Sequence, residues 1–293
     1  MNFNQDWHIH TTNSDGQLAM AGLPDAAARL GIAQYGVTDH LNTQYSRPRF
    51  AGSRREYDAI LAARPELKGA FHFGIEVSSM SAWELEILRA NNYEDDLTWG
   101  IRVGGPSDAA PALDIDKAFL KEFGIDYVVG GVHWALYCPP DRDALFENYH
   151  RQYMCLARHE LVDILAHWLW WNPWQSERDG SECPFLDFGA IPSYMKDELA
   201  QALLGNNTAF EINIGEFLFK QPFYSDEFRR DYLAYAARLQ AMGVTLSIGS
   251  DTHERDYFAY NQGQFAKAAE LMEAAGIDLN GRFFRVRKKE GTE

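Results

Sequence analysis

Asp6-Trp7-His8-Ile9-His10-Thr11-Thr12-Asn13-Ser14-Asp15-Gly16 sets two histidines and the Asp15 carboxylate within eight positions near the start of the chain. If residues 5–10 form a strand, side chains two apart point to the same face. His8 and His10 then present two imidazoles side by side, with Asp6 on their face and Trp7 and Ile9 on the other. Asn13-Ser14-Asp15-Gly16 has turn composition, so the strand ends near Thr11 and Asp15 curls back over its end. The stretch reads as a metal site. An exposed polar strand would fit a lone His-x-His about as well, so the remainder of the chain decides.

Working outward, the chain repeats one form. Leu18 to Leu30 reads as a helix closed by Gly31, and Gln34-Tyr35-Gly36-Val37-Thr38 as a strand delivering Asp39-His40. A loop rich in arginine (Arg47, Arg49, Arg54, Arg55) runs into a helix that Pro65 interrupts or ends. Ala70 to Val77 then makes a strand with His72, Gly74 and Glu76 on one face and Phe71, Phe73 and Ile75 on the other. Trp83 to Asn91 looks helical, Leu97 to Val103 could add a strand, and Gly104-Gly105-Pro106-Ser107 is a loop. Ile115 to Phe123 reads as a helix, and Tyr127 to Val132 as a buried strand followed by His133. A helix from Asp143 to Arg158 leads to the strand Leu161 to Ala166, which delivers His167. Trp168-Leu169-Trp170-Trp171-Asn172-Pro173-Trp174 follows, then a polar loop to Phe185. A helix from Ser193 to Leu204, a strand from Ala209 to Ile214 and a helix from Ser225 to Met242 come next. Val244 to Gly249 is the last strand, delivering Ser250-Asp251-Thr252-His253. A helix from Gly263 to Ala275 follows, and Arg282 to Glu293 reads as a peripheral charged tail.

Strand alternating with helix implies parallel βαβ units, with seven core strands. His8, His10, His40, Glu76, His133, His167, Asp251 and His253 all fall at or just past the carboxyl ends of strands. In a barrel of parallel strands that end is one face, where barrel enzymes carry their sites. The expectation is one α/β domain over residues 1–293, a distorted (β/α)7 TIM-like barrel with its metal site at the C-terminal ends of the strands.

Composition sets limits on partners and place. Hydrophobic residues are 46% and aromatics 14%, ample for a core, and no apolar run is long enough for a membrane span. Nothing at the N-terminus resembles a signal peptide, and the three scattered cysteines form no disulfide framework or metal knuckle. The expected compartment is the cytoplasm, without a membrane partner. A formal charge of −15 opposes binding to long nucleic acid, whose affinity comes mostly from Lys and Arg on phosphates. A small anionic substrate is still compatible, because bound cations dominate the field inside a site.

These pieces together resemble the PHP (polymerase and histidinol phosphatase) family of metal-dependent phosphoesterases. The matching residues are Asp6-x-His8-x-His10-Thr11 with Ser14-Asp15-Gly16, Val37-Thr38-Asp39-His40, Gly74-Ile75-Glu76, Val132-His133, Ala166-His167 and Gly249-Ser250-Asp251-Thr252-His253. They span nearly the whole chain in family order. The resemblance implies a seven-stranded distorted barrel and two to three divalent ions of zinc, manganese or iron. His8, His10, Glu76 and Asp251 would hold the first ion, Glu76, His133 and His167 the second, and Asp15, His40 and His253 the third. Glu76, Asp251 and His253 would be the catalytic residues. The implied activity is hydrolysis of a small phosphate monoester, as in histidinol phosphatases. A nucleotide phosphatase or small phosphodiesterase would use the same ions. An amidohydrolase also begins with His-x-His on a barrel strand, but typically bridges its metals with lysine where this chain offers Glu76. A metal-stabilised module without catalysis is the remaining alternative, and no expected ligand is missing.

The other candidates are weaker. Phosphate needs cationic donors beyond the ions, and Arg47, Arg49, Lys220 and Arg255 lie on loops at the expected face. Asn213 ends its strand and could line the pocket, and Trp168 and its neighbours could wall it. Asp6 could orient a ligand imidazole from behind. His72, about 13 Å below Glu76 at the strand rise, reads as core, and His150 and His159 as peripheral.

Overall fold

The computed structural model describes residues 4–93, 104–221 and 224–286. Its strands are β1 (Gln5–Asp6), β2 (Gln34–Val37), β3 (Phe71–Phe73), β4 (Ile75–Ser78), β5 (Met80–Ser81), β6 (Pro111–Ala112), β7 (Val128–Gly131), β8 (Ile164–Leu165), β9 (Ala209–Asn213) and β10 (Leu246–Gly249). The helices are α1 (Leu23–Leu30), α2 (Arg47–Ala63), α3 (Ala82–Ala90), α4 (Lys117–Glu122), α5 (Arg142–Arg158), α6 (Pro173–Asp179), α7 (Ser193–Asn206), α8 (Asp226–Ala241), α9 (Tyr257–Asn261) and α10 (Gln264–Ala274), with a π-helical segment over Ile214–Lys220.

This is an α/β protein with parallel sheets. One sheet has the order β1-β2-β3, the other β10-β9-β8-β7-β4, and β5 pairs antiparallel with β6. Isolated parallel bridges join the two main sheets, Ile9 after β1 with Thr252 after β10, and His40 after β2 with Glu76 in β4. Beside the first bridge the Trp7 N–H donates to the Ile248 carbonyl at 2.9 Å.

The expected single strand over 70–77 is two strands in two sheets, β3 beside β2 and β4 beside β7. The break falls at Gly74, where a Cβ would lie 2.6–3.0 Å from the Tyr127 ring. Gly36 sits over the same ring, so the two glycines make room for one tyrosine. The first strand is also shorter than expected, and strict alternation ends with it. Ile9 joins the main core, whereas Trp7 packs with Tyr127, Val129, Ile164, Ala166, Ala209 and Phe284. Trp7 therefore lies with residues of the strands that carry the site, not on a face opposite the histidines.

Local sequence signals explain most element ends. Gly31 closes α1 in the left-handed conformation (φ 74°), which glycine adopts without a Cβ penalty. Asp116, Asp141, Asn172 and Ser225 cap α4, α5, α6 and α8 by accepting backbone N–H bonds. α6 replaces part of the polar loop expected after Trp174, and its start at Asn172-Pro173 is a cap followed by proline at the first helical position. The segment from Arg282 is not peripheral where it is described. Phe283 bridges Leu246, the Phe284 N–H donates to the Leu246 carbonyl at 2.7 Å, and Phe284 is buried against Trp7 and Tyr127. The strand expected over 97–103 lies outside the described residues. Cys138, Cys155 and Cys183 are free thiols, and no helix of the described residues is long and apolar enough to cross a membrane.

Candidate metal centre

The strand ends deliver their polar side chains to one place. The buried carboxylate of Glu76, at the second position of β4, is the centre. Its Oε2 lies 3.3 Å from His8 Nε2, 3.4 Å from His10 Nε2 and 3.0 Å from His40 Nδ1. Its Oε1 lies 3.3 Å from His133 Nε2 and 3.0 Å from His167 Nε2. Asp251 Oδ1 faces the same two imidazoles that follow β1, 3.5 Å from His8 Nε2 and 3.3 Å from His10 Nε2. Asp15 completes a second group at the mouth, 3.7 Å from His10 Nδ1 and from His40 Nε2, and 3.3 Å from His253 Nε2. The donors fall into three sets whose ligand atoms lie within 4.8 Å of one another: His10, Asp15, His40 and His253; His8, His10 and Glu76; His40, Glu76 and His133.

The hydrogen bonds behind these rings fix their tautomers. His8 Nδ1 lies 2.7 Å from Glu211 Oε1, so Nδ1–H donates to that carboxylate and the Nε2 lone pair is turned to Glu76. Ser78 donates its hydroxyl to Asn42 Oδ1 and accepts from His133 Nδ1 at 2.8 Å, which leaves the His133 Nε2 lone pair toward Glu76. His253 Nδ1 donates to the Asp251 carbonyl at 2.9 Å, leaving Nε2 toward Asp15. Lone pairs of neutral imidazoles pointed at carboxylate oxygens repel unless protons or cations lie between them. Glu76 Oε2 is buried and accepts no hydrogen bond. The donor set therefore fits bound cations, and mixed imidazole and carboxylate ligands suit zinc, manganese or iron.

The same geometry sets the electrostatics of the metal-free chain. Burial alone would raise Glu76, but the charges of His40, His8 and His133 hold it well below the usual carboxylate range. Asp251 is likewise held well below by His8, His10 and His253 against its burial. Burial lowers His10, yet Asp251 and Glu76, as acceptors for its ring N–H when it is protonated, and the charge of Asp15 carry it to about 10. His40, where burial prevails, falls to about 4.

The cluster forms the floor of a cavity of about 490 Å³. Asp15, His40, Asp251 and His253 line it together with Trp134, Trp170 and Trp174, Lys220 and Glu216. Trp170 Nε1 donates to Glu216 Oε2 at 2.7 Å, Gln221 Nε2 donates to the same oxygen at 2.6 Å, and Lys220 Nζ donates to Oε1 at 2.7 Å.

A family model described as the PHP domain matches residues 6–171, more than half of the chain. The chain belongs to the PHP domain family. Asp251 and His253 lie beyond the matched segment, and the fold brings them to it. No curated protein matches the sequence significantly. Among solved structures, the "putative histidinol phosphatase hisK" of Listeria monocytogenes superposes on 87% of this chain and 97% of its own, with a TM-score of 0.57 and 12% identity, a likeness of fold. A chain of archaeal ribonuclease P with mature tRNA aligns over 99% of both chains at 14% identity, with a TM-score of only 0.40.

In this PHP domain the nine expected ligand positions come together, but most of the expected substrate contacts do not. Lys220 lines the cavity, paired with Glu216. Arg47 is drawn away to Glu122 and Gln44 and over the Phe119 and Phe123 rings. Arg49 donates to the His40 carbonyl at 2.8 Å and so braces a ligand loop. Arg255 is exposed and does not line the cavity. Asn213 is fully buried and not in the wall: its Nδ2 donates to Glu211 Oε2 and Asp251 Oδ2, both at 3.1 Å, and its Oδ1 caps the π-helical segment at Glu216 N. Trp168 is buried against Phe188, Phe210 and Tyr235 on the far side of the sheet. The chain turns through left-handed residues at His167 (φ 28°) and Leu169 (φ 67°), and of the tryptophans expected to wall the pocket Trp170 and Trp174 line it whereas Trp168 does not. Asp6 touches no ligand imidazole; its carboxylate accepts from Ser250 N at 2.9 Å and Tyr257 Oη at 2.7 Å and ties β1 to the last strand and α9.

Sequence reading missed Glu211, which fixes the His8 tautomer and accepts from the His167 N–H at 2.8 Å. The available signal was its place two residues before Asn213 on the inward face of a strand. Ser78 and Asn42 behind His133 had no comparable signal. His72 packs on Trp7, and His150 joins α5 to α7 by a 3.0 Å contact with Glu198; neither belongs to the three donor sets.

Proposed function

We propose that the chain is a metal-dependent phosphoesterase that hydrolyses a small phosphate monoester, and that its two parallel sheets act as one distorted (β/α)7 barrel whose bridges at Ile9 and His40 complete the ring. The observation that carries this reading is the convergence of five imidazoles on the two oxygens of one buried carboxylate, Glu76. His8, His10, Glu76 and Asp251 would hold one ion, Glu76, His133 and His167 a second, and Asp15, His40 and His253 a third. When bound, such ions supply a hydroxide nucleophile at neutral pH and neutralise phosphate oxygens.

The chain's own groups do the remaining work. Glu76, with one oxygen toward each side of the cluster, sets the spacing between sites. Asp251, held ionised, turns one oxygen to His8 and His10 while Asn213 fixes the other. Lys220 is positioned to take a phosphate oxygen from the wall. His253, partly exposed at the mouth with its Nδ1 proton committed to the Asp251 carbonyl, keeps Nε2 turned to Asp15 as a donor for the third site. In the net reaction water adds to phosphorus, the P–O bond to the organic group breaks, and the alcohol leaves with the second proton.

A screen of histidinol phosphate, mononucleotides, short single-stranded DNA and an N-acyl amino acid, with manganese, zinc and iron supplied separately, tests the reading. Release of phosphate from a small monoester at the highest rate is expected. DNA or the amide as best substrate by about tenfold, an interval of about 1.4 kcal/mol, would overturn it in favour of a nuclease or an amidohydrolase.

A further inference from the structure

The cavity has two unlike walls, and the reading above accounts for one of them. The ligand side is polar. Next to His133 and His167 stand two indoles, Trp134 5.8 Å from the His133 ring and Trp170 5.8 and 5.4 Å from the His133 and His167 rings, and Trp174 lines the same cavity. Trp170 is held in place by its bond to Glu216, so its face is set before any ligand arrives. Trp174 is 67% exposed, the most exposed of the large hydrophobic side chains described. It starts α6, where the Asn172 side chain accepts its backbone N–H at 3.0 Å and Pro173 restrains the turn. An indole left this open at a cavity rim, on a backbone held by its helix cap, keeps a face for a ligand.

The charges on this wall are already matched. Both oxygens of Glu216 are taken, by Lys220, Trp170 and Gln221. The carboxylate of this wall is thus already engaged with a cation, and beyond this pair its polar side chains are the amides of Asn172 and Gln221 beside the indoles. The volume is in the range that holds drug-sized ligands, about 300–1,000 Å³, and far exceeds a phosphate group.

We propose that the organic part of the substrate carries a flat, uncharged aromatic ring that docks on Trp170 and Trp174 while the phosphate sits over the Glu76 cluster. This rests on the phosphoesterase reading for the placement of the phosphate, and it makes Trp174 and Trp170 specificity-determining residues. Stacking of this kind is worth about tenfold in affinity.

The test separates binding from turnover. Calorimetric titration of the manganese-loaded protein with phenylphosphonate and with methylphosphonate, which cannot be hydrolysed as esters, should show the phenyl compound binding about tenfold more tightly. Trp174→Ala should reduce that advantage to about threefold or less, and Trp174→Phe should restore most of it. In turnover, phenyl phosphate should exceed glycerol 3-phosphate and phosphoethanolamine in kcat/KM, and Trp174→Ala should act on it through KM. Equal affinities for the two phosphonates, an advantage that survives Trp174→Ala, or preference for glycerol 3-phosphate or phosphoethanolamine would overturn the inference. A phenyl advantage in binding without hydrolysis of any ester would leave the ring site standing and remove the phosphoesterase reading instead.

Discussion

Glu76 lies on β4 and His72 on β3 of the other sheet, and only Glu76 meets the imidazole cluster. His72 packs on Trp7, 3.8 Å from Asp126 at its Nδ1. Replacing each by glutamine separates the two roles. Glu76→Gln should remove most bound metal and lower activity by at least about a thousandfold, since the change removes a charge shared by two proposed sites. His72→Gln should leave metal content near that of the parent. Elemental analysis of both proteins after identical metal loading checks this, and equal losses would show that Glu76 is not shared. At this scale the sequence was legible where chemistry demands a residue type: eight of the nine polar positions that come together were readable from strand ends, and Asp15 from the turn after the first strand. It was not legible where a residue's role depends on direction. Asn213 and Glu211 differ by two positions on one strand, and nothing in their identity says that one braces the other. Trp168 and Trp170 are separated in role by one left-handed residue, Leu169.

On β7, two adjacent glycines face opposite ways. A Cβ on Gly131 would lie 2.6 Å from Glu76 Oε1 and 2.7 Å from His167 Cε1, whereas one on Gly130 would meet Leu156 and Val162 at 3.0 Å. Gly131→Ala is therefore expected to expel metal and reduce activity by about a hundredfold or more while leaving the helical circular-dichroism signal intact. Gly130→Ala should keep its metal and instead lower Tm by a few degrees, since it presses on the apolar contact between β7 and α5. Paired metal content and thermal melts on the two variants distinguish them. The elements themselves were readable because capping residues and glycine stops coincide with changes of hydrophobic period. The exceptions have local causes. The third strand divides at Gly74 to accommodate Tyr127, and the π-helical segment begins where the Asn213 side chain takes the backbone of Glu216, neither of which a periodic pattern carries.

For the whole molecule, the cluster makes stability depend on pH with opposite signs according to whether metal is bound. In the metal-free chain His10 is raised from 6.5 to about 10. Its contribution is fully present below pH 6.5 and is lost as pH rises toward 10. His40, lowered to about 4, and the depressed carboxylates Glu76 and Asp251 contribute in full above pH 6.5 and stay level across that window. Scanning calorimetry in chelator should therefore show Tm falling between pH 6.5 and 9. With manganese in excess the trend should reverse, since ions compete with protons for the same nitrogens. A metal-free Tm that rises over this range would contradict the charge balance described for the cluster.

The bridge between Ile9 and Thr252 has a consequence in time as well as space. His8 and His10 leave the ribosome more than two hundred residues before Asp251 and His253. The strand that carries the first pair is flanked on one side by β2 and on the other by β10, so half of its neighbours do not yet exist while most of the chain is being made. Closing so long a loop is slow and entropically costly. A nascent chain ending before residue 246 lacks both late ligands and the strand that seats the early ones. A cluster assembled in this way can close only after the strand at 246–249 has emerged, so any ion it takes up is acquired after that point rather than as the first strands form.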